Sequence, residues 1–154
     1  MKATIGSLAV AAWIAVAGVL AATVAASSAS QSEENKRVVL EFYDKALNQK
    51  DFEAASAYFG PHYIQHNPNA RDGIEGFKAF LQFLRDKFPN AHSEIERAFA
   101  DGDYVILHVH AVREPGTRGL AIVDIFRLEQ GKIVEHWDVR QDIPETAANS
   151  NGMF

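Results

Sequence analysis

The 154-residue sequence predicts an α+β fold: three N-terminal helices packed on a strongly curved antiparallel sheet. Three observations carry this. Apolar residues spaced three and four apart are confined to the chain before Asn90, whereas runs rich in β-branched and aromatic residues follow it. Those runs are joined by short turn signals, Asp101-Gly102 and Gln130-Gly131. Helices first and strands after is the order of an α+β domain with helices on one sheet face. A curved sheet closed by helices makes a conical half-barrel with an interior pocket.

Residues 1–29 read as a signal peptide, not as part of the fold. Lys2 is the only charge before Glu33, Ala3 to Ala26 is apolar and small, and Ala25–Ser30 is a cluster of small residues. This is the order of a basic start, an apolar core and a cleavage site. Cleavage after Ala26 or Ala29 fits, and export to a periplasmic or secreted location is expected. The competing reading is an uncleaved anchor, since the run approaches the ~20 residues that span a bilayer. The mature chain of about 125 residues is one domain. A formal charge of −5 with no basic patch argues against nucleic acid as a partner. The absence of cysteine removes disulfides and thiol nucleophiles.

The domain is expected over residues 31–143. Ser30 and Glu33 have capping-box spacing, and Val39, Phe42, Tyr43, Ala46 and Leu47 share one face of a helix running to Asn48. Asp51 caps a short second helix, Phe52 to Phe59, stopped by Gly60-Pro61. His62–Gln65 reads as a short strand. Asp72 caps a third helix whose Ile74, Phe77, Phe80, Leu81, Leu84 and Phe88 repeat at helical spacing. Strands follow at Ala91–Ala100 and Tyr104–Val112, and a hairpin at Leu120–Leu128 and Ile133–Val139. Residues 144–154 are small and polar and read as a flexible tail.

With Gln130 and Gly131 as the two loop residues, Asp124 faces Trp137, and Phe126 faces Glu135. One face then carries Ile122, Asp124, Phe126, Glu135 and Trp137, and His136 falls on the other. A one-residue slip exchanges His136 and Asp138 with Trp137 and Glu135. A carboxylate on an apolar face is costly unless paired or protonated, so Asp124 is either a structural hydrogen-bond acceptor or a pocket acid/base. His108 and His110 share a strand face opposite Val105, Leu107 and Val109, and the pattern leaves open which face lines the pocket. These histidines with Asp124 or Glu135 can be written as a metal site, but the H-x-H spacing is weak alone, and no metal is expected. No G-x-S-x-G elbow and no phosphate loop is present. General acid/base work by Asp124 with His110, and with His66, remains. A carboxylate against apolar walls can hold or take a proton near neutral pH, which suits proton abstraction beside a carbonyl.

Five stretches make the sequence similar to a known family. They are Val39–Asn48, Asp51–Ala55, Tyr63-Ile64-Gln65-His66-Asn67-Pro68, Gly73–Phe77 and, most specifically, Asp124–Asp138. Together they resemble the SnoaL-like polyketide cyclases of the nuclear-transport-factor-two-like superfamily. The resemblance implies a conical α+β barrel with a deep pocket and, in many members, dimers through the outer sheet face. It implies an aldol-type closure with a strand Asp as acid/base, a strand His nearby and no cofactor. Asp124 and His110 stand at those positions, His66 and Asn67 at the pocket entrance, and Trp137 on the wall. The expected catalytic set is thus Asp124, His110 and His66. The expected lining is Tyr43, Tyr63, Asn67, His108, Phe126, Glu135 and Trp137.

The sequence therefore leads to an exported small-molecule-pocket protein. Its expected chemistry is cofactor-free acid/base catalysis on a mostly apolar carbonyl compound: cyclisation, isomerisation or dehydration. The alternative is a non-catalytic ligand-binding or interaction module of the same fold. The partners expected are a small apolar or amphipathic molecule and a second copy of the chain. Neither nucleic acid nor membrane is expected, apart from an uncleaved signal.

Overall fold

A computed structural model describes residues 28–154. All but the last two residues of the segment read as a signal peptide lie outside this range. The element order is α1 (residues 28–43), widening into a π turn over Asp44–Asn48, then α2 (Phe52–Ser56), β1 (Phe59–Gln65), α3 (Gly73–Lys87), β2 (His92–Asp101), β3 (Tyr104–Val112), β4 (Leu120–Glu129) and β5 (Lys132–Asp142). The fold is α+β as the sequence led us to expect. The helices pack on one face of an unclosed five-stranded sheet of order β1-β5-β4-β3-β2. All pairs are antiparallel except β1 with β5.

Helix α1 already runs at residue 28, so Ser30 lies within it and does not cap it. Its inward face is Asn35, Val38, Val39, Phe42 and Tyr43, all buried. Ser32 and Asn35 grip the β2–β3 turn: Ser32 Oγ accepts from Gly102 N–H at 3.0 Å, and Asn35 Nδ2 donates to Gly102 O at 3.0 Å. At the far end Asn48 exchanges two hydrogen bonds with the Ser93 backbone. The helix is thus pinned near its start to the β2–β3 turn and at its end to β2.

Phe59 is not the end of the second helix but the start of β1, which continues through Gly60-Pro61. Proline is tolerated because β1 is an edge strand. Asp72 does not cap α3 with its side chain; its Oδ1 accepts from Gln65 N–H at 2.8 Å and so ties the end of β1 to the start of α3. Phe77, Leu81 and Leu84 bury against the sheet. The core is an aromatic cluster centred on Phe42, which meets Phe59, Phe77 and Phe126 at 5.2 to 5.9 Å.

Gln130 and Gly131 form the β4–β5 turn with φ of 51° and 72°, the positive values that a type I′ turn needs. Leu128 pairs with Ile133, but the next rung is Arg127 with Glu135. Val134 is therefore an extra residue, a β-bulge. It is fully buried, and it fits because the facing position on β1 is Gly60, where a Cβ would stand 2.7 Å from Val134 Cγ1. Beyond the bulge Phe126 pairs with His136, Ile125 with Trp137 and Asp124 with Asp138. The bulge-free register is thereby corrected by one residue, and the side chains of β5 change faces.

Candidate active site

Register decides which residues face the helices. On β3 the inner side chains are Val105, Leu107 and Val109, all at 0 % exposure, followed by Ala111. On β4 they are Leu120, Ile122, Asp124 and Phe126, and on β5 His136, Asp138 and Arg140. With α3 and the end of β1 they enclose a cavity of about 460 Å³. Phe42, Tyr43, Tyr63, Phe77 and Phe80 supply much of its apolar wall. Its mouth opens into a wider basin bounded by Asn67, Arg113, Asp138 and Arg140.

On the cavity wall Asp124 is 5 % exposed and holds two partners. Tyr43 donates its hydroxyl to Oδ2 at 3.0 Å, and His136 Nε2 meets Oδ1 at 3.0 Å. Burial first, then the charge of Asp124, pushes the Tyr43 hydroxyl well above the ordinary phenol range, so it stays a donor. Burial likewise raises Tyr63. The other nitrogen of His136, Nδ1, meets Gln65 Oε1 at 3.0 Å. Gln65 is oriented from both sides. Its Oε1 accepts from Asn67 N–H at 2.9 Å, and its Nε2 donates to Tyr63 Oη at 3.0 Å. Because Oε1 can only accept, His136 Nδ1 must carry a proton. The bond between Nε2 and Asp124 Oδ1 then requires one further proton held between them. The pair is either imidazolium with carboxylate or imidazole with carboxylic acid. Asn67 Nδ2 donates to Asp138 Oδ2 at 2.6 Å, which places a second carboxylate next to the pair.

The structure brings together Asp124, Tyr43, Tyr63, Asn67 and Phe126 of the expected site residues, and it leaves out the others. His110 lies on the outer sheet face, its Nε2 2.7 Å from Arg118 O, and His108 beside it pairs with Arg97. The packing row Val105-Leu107-Val109 claims the inner face and sends both histidines outward. Phe154 comes back to pack against both rings, at 5.1 and 4.8 Å with the planes tilted, so the last residue of the expected free tail is seated on the sheet. The bulge sends Glu135 and Trp137 outward too. His66 stacks on Trp137 at 4.6 Å with the rings near parallel, and it bonds Glu135 at 2.8 Å. Glu135 also accepts from Arg127, which bonds Glu129 in turn. The Arg127–Glu129 charge pair is therefore part of a larger surface network.

His136, Gln65 and Asp138 are the members of the site not foreseen as such. The signal for His136 and Asp138 was the adjacent apolar pair Ile133-Val134, which breaks the alternation right after the turn, as a bulge does. Asp124, His136 and Asp138 are also the described residues that could hold a metal ion. One ligand atom from each lies within 4.8 Å of the others, a donor set of one nitrogen and two oxygens.

The sequence matches the family model of the SnoaL-like domain over residues 39–136. The chain belongs to the SnoaL-like family. None of the curated proteins matches it. Among solved structures it is similar to a candidate polyketide cyclase from Acidithiobacillus ferrooxidans, at 22% identity and TM-score 0.60 over 70% of this chain and 87% of that one. It is also similar to a candidate polyketide cyclase from Bacillus cereus, at 24% identity and TM-score 0.61 over 70% and 74% of the two chains. A candidate ketosteroid isomerase from Kribbella flavida aligns at 18% identity and TM-score 0.63, over 77% and 86%. At these identities the likeness shows the fold, and the SnoaL-like cone is the shape described above.

The outer network has a pH signature. Its hydrogen bond from Arg127, and then that from His66, hold Glu135 below the ordinary glutamate range. The stability it contributes is present above the unfolded-state value and is lost as pH falls through the lower folded value. We expect Glu135→Gln to flatten the fall in Tm below about pH 4.5. Melting curves from pH 7 to pH 3 measure this, and parallel curves for variant and parent would remove Glu135 from the acid response.

Proposed function

We propose that this SnoaL-like protein is an acid/base catalyst acting on a mostly apolar carbonyl compound. The observation that carries the reading is the Asp124–His136 pair: buried, 3.0 Å apart, and facing an apolar cavity of small-molecule size. In its ionic form Asp124 takes a proton from the carbon beside the substrate carbonyl. The C–H bond breaks, an O–H bond forms on Asp124, and the negative charge moves to the carbonyl oxygen. The imidazolium of His136 offsets that charge, and Tyr43 steadies the carboxyl group. Returning the proton to a different carbon is an isomerisation. Attack of the enolate carbon on a second carbonyl, with the proton given to the new alkoxide, is an aldol closure. Gln65 acts through His136, by keeping a proton on Nδ1. The fold of the candidate cyclases and isomerase supports the reading by analogy.

The test follows exchange of α-protons for deuterium in a panel of ketones such as 2-tetralone. We expect catalysed exchange by the parent protein and a loss of about 100-fold or more in Asp124→Asn at unchanged Tm. Gln65→Leu is expected to give a smaller loss together with a displaced pH–rate profile. Full exchange in Asp124→Asn removes Asp124 from the chemistry. Binding of the panel without exchange in the parent leaves a ligand-binding module. Activity that vanishes with a chelator and returns with zinc or manganese moves the assignment to a metal held by Asp124, His136 and Asp138.

We further propose that the protein is exported and pairs with a second copy through the outer sheet face. The composition of residues 1–29 supports the first. The exposed Phe99, Tyr104, Val123 and Val139 on one sheet face support the second. The purified protein is expected to begin at Ser27 or Ser30 and to sediment as a dimer. An intact N-terminus would overturn cleavage, recovery of the protein in the cytoplasmic fraction would overturn export, and a monomer at micromolar concentration would overturn the pairing.

A further inference from the structure

The inner face of the sheet changes character along its length. The rung of Asp124 and Asp138 is followed, two residues nearer the mouth, by the rung of Ile122 and Arg140. On β3 the inner row ends at Ala111, and Arg113 continues its alternation just past the strand. Both arginines line the cavity and the outer basin. Arg113 lies half-buried over the ring of Phe88, 5.5 Å from its centroid. Among the described residues neither guanidinium has a hydrogen bond or an ion pair, although Glu114, Asp138 and Asp142 line the same basin. Burial, and then the nearby charge of Arg140, pushes Arg113 below the ordinary arginine range. Two like charges, Arg113 half-buried and Arg140 exposed, thus stand at the polar mouth of an apolar cavity with no carboxylate bound to either. Elsewhere the arginines Arg37 and Arg127 each hold two glutamates.

We propose that Arg113 and Arg140 receive an anionic head group, a carboxylate or sulfonate, on an otherwise apolar ligand whose carbonyl end reaches Asp124. Guanidinium groups bind such oxyanions by paired N–H donors, and a bound anion relieves the repulsion between the two cations. The rungs of Asp124 and Arg140 are two residues apart, roughly 7 Å along the strands, which separates the head group from the reacting carbon by several bonds. The substrate class is then a keto acid of a hydrophobic skeleton, with the acid several bonds from the ketone. This rests on the cavity being the substrate site, as proposed above.

Two dyes separate the two ideas. 1-Anilinonaphthalene-8-sulfonate carries a sulfonate, and N-phenyl-1-naphthylamine is the same skeleton without it. Fluorescence titrations use the full chain, the parent and an Arg113→Gln/Arg140→Gln double variant. The sulfonate dye is expected to lose about tenfold in affinity in the variant, while the neutral dye stays within about twofold. In the parent, raising salt from about 0.05 to about 0.5 M is expected to weaken the sulfonate dye alone, a reading independent of whether the variant folds. Equal changes for both dyes, or none for the sulfonate dye, overturn the anion site and leave the cavity intact. Failure of the parent to bind either dye overturns the cavity reading and this inference with it.

Discussion

The β-bulge at Val134 is the constraint on which the site depends. Strand side chains alternate with a period of two, so one inserted residue exchanges the inner and outer sets of everything beyond it. The insertion turns His136 and Asp138 toward Asp124 and turns Glu135 and Trp137 to the outside. Gly60 makes the insertion possible, because the buried Val134 methyl takes the space a side chain there would fill. The pairing of an edge strand with β5 thereby governs the chemistry of the cavity that both strands help to line.

Once the register is set, a buried carboxylate becomes affordable. Asp124 would be costly among Ile122, Phe126 and Phe42 if it were unpaired. It receives a hydroxyl from helix α1 and a nitrogen from β5, while β1 orients that nitrogen through Gln65. Four segments of the chain converge on one proton. The described residues hold no fully buried side-chain nitrogen or oxygen without a partner, which is the condition for a polar network inside an aromatic core.

Much of this was legible in the sequence, and what was not has a physical cause. Helical spacing in Phe77, Leu81 and Leu84, the strand Tyr104–Val112 and the turn at Gln130-Gly131 stand where the pattern puts them, because each is a local signal. Asp124 stood out because an acid in an apolar strand demands a partner. The partner was misjudged because faces were counted outward from the turn, and one irregular rung reverses the count. The outward histidines His108 and His110 were readable in principle, since Val105, Leu107 and Val109 already claimed the inner face. The role of Gln65 was not readable. It depends on a backbone N–H and a tyrosine hydroxyl brought to one point by tertiary folding.

The parallel pairing of β1 with β5 bears on the order in which the molecule assembles. The four antiparallel strands are joined by short connections and zip from neighbour to neighbour. Strand β1 pairs across a long stretch of chain, Ile64 with Glu135 and Gln65 with His136, with α3 and three strands between. Closing so large a loop costs more entropy than any hairpin, and it is repaid only after the hairpins exist. Gln65 and Asn67 reach His136 and Asp138 through that closure. The sheet can therefore be largely formed while its proton-holding centre is still incomplete, and loop-closure entropy favours completing the site after the hairpins.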